Sequence, residues 1–142
     1  FHYAFAETKY PGTPDITIHN IDVDSTFEIE GIKIQPIQVF HHKLPVLGFR
    51  VNDFTYITDA NYIPEAEMDK IRGSKVLVLN ALRRQTHISH YTLEEALIVI
   101  DELKPEKAYL THISHQMGRH KDVSAELPEN VFVAYDQLSI EV

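Results

Sequence analysis

The sequence predicts an α/β (α+β) architecture, a mixed β-sheet with helices packed on it. Three observations point there. Strand-like segments separated by tight turns occupy the first part of the chain. Val76 to Leu79 is a continuous apolar run, which suits a strand buried on both faces. After it, amphipathic helical stripes alternate with short strands, as a layered sheet-and-helix arrangement requires.

The elements follow in order. Residues 1–26 read as irregular around Pro11, Gly12 and Pro14, apart from a half-buried strand over Ile16 to Ile21. Phe27 to Ile29 and Ile32 to Val39 make a hairpin turning at Glu30-Gly31. Gly48 to Val51 and Phe54 to Thr58 make a second hairpin around Asn52-Asp53, a pair suited to tight turns. Pro64 suits the first position of a helix whose buried face holds Met68 and Ile71 and which Gly73 ends. Thr92-Leu93-Glu94-Glu95 is a capping box, and Leu93, Ala96, Leu97, Ile100 and Leu103 form the stripe behind it. Ala108 to Thr111 is a strand, His120 to Leu127 a short helix stopped by Pro128, and Val131 to Ala134 and Leu138 to Val142 are closing strands.

The 142 residues, 44% hydrophobic, suffice for one core and one domain over 1–142. Thirteen basic against 21 acidic side chains leave a charge of −8, with no basic run beyond Arg83-Arg84. Such a surface repels phosphate backbones, so nucleic acid is a disfavoured partner. The absence of Cys excludes disulfides and thiolate metal sites. No apolar run approaches membrane-spanning length and no secretory signal is present, so the expected location is cytoplasmic. The opening residues Phe1-His2-Tyr3-Ala4-Phe5 resemble an interior segment, as in a truncated or processed protein.

Four segments place His or Asp where a strand ends: Phe40-His41-His42, Thr58-Asp59, His87-Ile88-Ser89-His90 and Thr111-His112. Functional groups gather at strand ends because loops converge there while the strands hold them rigid. Imidazole and carboxylate together suit Zn²⁺, Mn²⁺ or Fe²⁺. Each residue also has a plainer reading. A single His at a strand end is usually a surface or hydrogen-bonded residue, as read for His2 and His19. Asp59 also suits a turn cap, and Arg83 and Arg84 suit a solvated loop.

The ordered set His41-His42-Lys43-Leu44-Pro45-Val46-Leu47-Gly48-Phe49-Arg50, Tyr56-Ile57-Thr58-Asp59-Ala60, Asn80-Ala81-Leu82-Arg83-Arg84, Ser89-His90-Tyr91-Thr92-Leu93, Leu110-Thr111-His112-Ile113-Ser114-His115-Gln116-Met117-Gly118 and Ala134-Tyr135-Asp136 resembles the metallo-β-lactamase superfamily. Within it, the match is to the branch of the phosphoribosyl cyclic phosphate phosphodiesterases of the carbon–phosphorus lyase pathway. The resemblance implies the second half of an αββα sandwich and a two-metal phosphodiesterase. It implies His41 as ligand of a first divalent ion, Asp59 as bridging carboxylate, and His112 as ligand of a second, with Zn or Mn as the metals. His90 resembles the His that meets substrate phosphate and protonates the leaving oxygen. Arg84 would contact phosphate, and His115 and His42 would orient ligands.

One departure matters. The family's His-x-His-x-Asp-His run is absent from this sequence, so the domain is expected to be partial and to lack its N-terminal metal-binding segment. Such a chain would expose a sheet face, predicting association with another copy or with a missing segment. The leading expectation is a hydrolase of a small phosphorylated metabolite, of the cyclic ribose phosphate type, with little activity in this chain alone. The alternatives are a catalytically incomplete self-associating or partner-binding module and an RNA-processing nuclease of the same superfamily.

Overall fold

A computed structural model describes residues 2–8, 10–14 and 16–141. Seven strands form one sheet in chain order: β1 (Phe27–Ile29), β2 (Ile32–His41), β3 (Leu44–Val51), β4 (Phe54–Ile57), β5 (Val76–Asn80), β6 (Lys107–Thr111) and β7 (Val131–Val133). β1 to β4 pair antiparallel through hairpins, and β4 to β7 pair parallel. The switch occurs where helices begin to separate the strands, because a parallel pair needs a crossover and an antiparallel pair does not. The crossovers carry α1 (Glu65–Ile71), α2 (Leu93–Leu103) and α3 (His120–Ser124).

The mixed sheet with helices agrees with the sequence reading. All three helices join one apolar core on a single face of the sheet. Met68 and Ile71 of α1, Leu93, Ala96, Ile100 and Leu103 of α2, and Val123 of α3 meet Ile37, Val39, Ile57, Leu77, Leu79, Leu110 and Val133. The α2 start is as expected: the Thr92 hydroxyl accepts from the Glu95 N–H, and the Glu95 carboxylate accepts from the Thr92 N–H. On the opposite face, Tyr109 stacks on Phe132 at 5.4 Å, and Tyr56 and Phe132 remain exposed.

Several expected elements differ. Ile16 to Ile21 forms no strand; its isoleucines are exposed and no strand of the sheet pairs with it. An alternating pattern becomes a strand only when a neighbour completes its hydrogen bonds. β3 begins at Leu44, not Gly48, because Leu44 pairs directly with His41 across a two-residue turn. Pro64 caps α1 from outside, and α3 is shorter than His120 to Leu127. The final strand expected from Leu138 is absent: the Leu138 N–H closes a turn on Tyr135 O, and residues 138–141 are irregular. Phe1 and Val142 lie outside the described residues.

Candidate metal centre at the strand ends

β2 and β4 both run antiparallel to β3, and β4, β5 and β6 are mutually parallel. Their C-terminal ends therefore reach one edge of the sheet. His41 ends β2, Asp59 lies two residues past β4, Asn80 ends β5, and His112 directly follows β6. His90 arrives at the same edge from the loop between β5 and α2.

The loop backbones are held in an uncommon conformation. Asp59 (φ 55°) and His112 (φ 57°) are left-handed without being glycine. Asp and His tolerate this region better than most residues, and such positions persist where the surroundings over-determine them. Here the bracing is explicit. Fully buried Asn80 accepts from the Ala60 N–H and donates to the Ala60 carbonyl, both at 2.9 Å. The Tyr91 N–H donates to that same carbonyl, and the Asn61 N–H donates to Phe40 O. The His42 N–H donates to Asn61 Oδ1, which ties the β2–β3 turn to the Asp59 loop.

These braces bring the side chains together. His41, Asp59 and His90 each present a donor atom, and the three atoms lie within 4.8 Å of one another. His90 Nε2 is 3.0 Å and His112 Nε2 is 3.5 Å from the same oxygen, Asp59 Oδ1. The His112 ring stacks on the His90 ring at 4.7 Å, and the His41 ring meets it edge-on at 4.8 Å. Burial pushes the His90 imidazolium below its ordinary range; Asp59 opposes this, while His112, His41 and His87 add to it. The ring is thereby favoured in its neutral form.

The remaining expected residues fall elsewhere. Arg84 is paired with Glu126 at 2.7 Å and lines a groove of about 570 Å³ with Leu93, Leu97 and Ile98, which none of the clustered residues lines. Glu126, just past α3, holds the guanidinium there. His115 is exposed at a short 3₁₀ turn and lines a different cleft with Gly118 and His120. His42 is exposed and braces the site through its backbone. Two contributors had no role in the site assigned from the sequence, although His87 stands in one of the four segments named there. His87 reaches His90, and its spacing in His87-x-x-His90 is the only signal for it. Asn80 looks like the polar end of an apolar strand, which says nothing of its grip on Ala60.

The sequence profile of the beta-lactamase superfamily domain matches residues 1–113. The chain belongs to this family. A solved structure described as a new diphosphatase from the PhnP family superposes with a TM-score of 0.84 at 34% identity, covering 87% of this chain and 48% of that one. An octanoyltransferase of Porphyromonas gingivalis is 30% identical over 138 residues, which is 96% of this chain and 28% of that protein. The short form of human tRNase Z superposes at a TM-score of 0.61 and 18% identity, a likeness of fold alone. The chain therefore spans about half of the diphosphatase and a smaller share of the octanoyltransferase.

The chain thus has a metallo-β-lactamase hydrolase fold, in a superfamily that binds divalent metals. The donors that His41, Asp59, His90 and His112 present at this edge are imidazoles and a carboxylate with no thiolate, a chemistry that suits Zn²⁺ or Mn²⁺. Among the described residues, no helix is long and apolar enough to cross a membrane.

Proposed function

We propose that this chain supplies one side of a two-metal site that hydrolyses a phosphoester or phosphoanhydride bond in a small phosphorylated metabolite. The single observation that carries this reading is the convergence of His41, Asp59, His90 and His112 at one sheet edge, from four separate segments. The name of the diphosphatase neighbour points to the same bond class, and the resemblance to cyclic phosphate phosphodiesterases narrows it further. A surface charge of −8 favours a small substrate over RNA.

His41, Asp59 and His112 would hold the ions. Bound ions supply Lewis acidity and offset the charge that develops at phosphorus. The chain's own groups do the rest. Asp59 is fixed by its braced loop, so its carboxylate needs no reorganisation to receive a cation. Buried among its neighbours and hydrogen-bonded to Asp59 through Nε2, His90 would act in its imidazolium form, giving one proton to the departing alkoxide and returning to the neutral ring.

The clustered donors are too few for two ions. The reading therefore includes a second donor set from outside residues 1–142, and weak or absent turnover by this chain alone. The exposed face bearing Tyr56 and Phe132 is where another copy or a further segment would pack.

The test combines hydrolysis of bis(p-nitrophenyl) phosphate in Mn²⁺ with equilibrium metal binding. Weak turnover, and metal binding lost in His41→Ala and Asp59→Asn, are the expected results. Strong turnover abolished by His41→Ala or His112→Ala would keep the site but overturn its incompleteness. No metal binding by the unsubstituted chain would overturn the site itself.

A further inference from the structure

The loop that carries His87 and His90 has little backbone framework of its own. Its base is closed by the Leu82 N–H, which donates to Tyr91 O at 2.9 Å, and by the Leu93 N–H, which donates to Arg83 O at 3.0 Å. Among the described residues, no backbone–backbone hydrogen bond involves residues 84–90. A loop without such bonds keeps one shape only where side chains meet its polar groups. Arg83 does so here. Its Nε donates to Gln85 O at 3.1 Å and its Nη2 to Thr86 O at 3.0 Å, the two carbonyls directly ahead of His87. Its Nη1 donates to Gln116 Oε1 at 2.8 Å, and Gln116 belongs to the 3₁₀ turn His115–Met117 that follows His112. A guanidinium is planar, with five N–H donors in fixed directions, so one side chain with three acceptors fixes the geometry of both segments. The Ser114 N–H also joins these segments through Leu82 O, but only at the base of the loop.

We infer that Arg83 is a positioning residue: it holds the Gln85–Thr86 backbone so that the His87 ring seats against His90, and it locks this loop to the turn beyond His112. His90 is anchored by other means. Its neighbour Tyr91 is buried, and the Tyr91 N–H donates to Ala60 O at 2.9 Å. The His87 backbone makes no hydrogen bond among the described residues. The bond that His87 Nδ1 accepts from the Ser89 N–H is long, at 3.4 Å, and lies within the loop. The His87 ring nevertheless stands 4.8 Å from the His90 ring. Loss of the guanidinium therefore frees His87 and leaves His90 stacked on His112. The role matters for catalysis only under the hydrolytic reading above, where it keeps the His90 side of the site rigid; the placing of the loop does not rest on that reading.

NMR of the metal-free, full 142-residue chain tests this through nuclear Overhauser contacts between histidine rings. The unsubstituted protein should show one contact between His87 and His90 and another between His90 and His112. Arg83→Ala should lose the first and keep the second, with the strand amide signals unmoved. A general loss of structure would not spare the second contact, so the pair of contacts separates positioning from mere stabilisation. A His87–His90 contact that survives Arg83→Ala would overturn the inference, as would the loss of both contacts together in a folded variant. Should Arg83→Ala fail to fold, Gln116→Ala tests the lock from its other end: a weakened His87–His90 contact is the expected result, and an unchanged one overturns the lock. Mn²⁺ titration keeps the two readings apart. A chain that binds no Mn²⁺ refutes the metal centre, while the ring contacts, read without metal, decide the role of Arg83.

Discussion

Asn80 holds Ala60 through both ends of its carboxamide, at 2.9 Å each, from a position with no solvent exposure. Ala60 is the residue next to Asp59, so the last residue of β5 sets where the carboxylate of the neighbouring loop points. Asn80→Ala would orphan the buried Ala60 N–H. The Ala60 carbonyl would keep its bond from the Tyr91 N–H. One unsatisfied buried group costs about 1–3 kcal/mol, so urea unfolding should show a loss of that size. Mn²⁺ affinity should fall as well, although Asn80 offers no donor atom to the cluster. Unchanged metal affinity would mean that Asp59 is placed by other contacts.

Gly48 lies in β3 where the sheet leaves no space above it. A Cβ there would stand 2.7 Å from Ile57 Cγ1 and 3.0 Å from the Tyr56 carbonyl oxygen. Gly48→Ala should destabilise the fold by about 1–3 kcal/mol, the usual range for overpacking. Thermal unfolding measures this, and a neutral substitution would show that β3 and β4 can separate locally.

Lys75 and Asp53 pair at 2.7 Å on the surface beside the start of β5. The hydrogen bond and charge of Lys75 hold the Asp53 carboxyl below its ordinary value of 3.8. A folded-state value below the unfolded one means that the stabilisation is present above 3.8 and is lost as pH falls through the lower, folded value. The pair is solvent-exposed, so the effect is small. Lys75→Ala should therefore be slightly less stable than the parent at neutral pH. The gap should close as the acid carboxylate range is crossed. Chemical denaturation at several pH values checks the sign; a gap that widens in acid would contradict it.

Tyr56 and Phe132 present aromatic surface on the sheet face opposite the core that α1, α2 and α3 cover. Sedimentation velocity of the chain should reveal self-association, reduced by Phe132→Ser paired with Tyr56→Ser. Sheet order should survive, because neither ring belongs to the helix-side core. A strictly monomeric chain at high concentration would argue against a second copy as the cover for this face.

Much of the fold was legible because its signals are local. The capping box at Thr92, the apolar run of β5 and the turn residues Asn52-Asp53 each report on neighbours within a few positions, and each element formed. The failures share one cause. Ile16 to Ile21 and Leu138 onward carry strand-like alternation, but a strand exists only if a partner strand is present to complete its ladder. Leu44 to Leu47 was missed for the converse reason: Pro45 resembles a loop residue, yet the two-residue turn after His41 places it in register opposite Phe40.

The same division separates the parts of the candidate site. Sequence alone determined which residues could matter, since His41, Asp59, His90 and His112 stand at strand ends and beside loops. Strand direction, a property of the whole sheet, decided that those ends share one edge. Tertiary contact alone set Asn80 against Ala60 and drew Arg84 to Glu126. Hydrogen bonds and ion pairs between segments 20 to 42 positions apart depend on how layers stack, and no local pattern encodes that stacking.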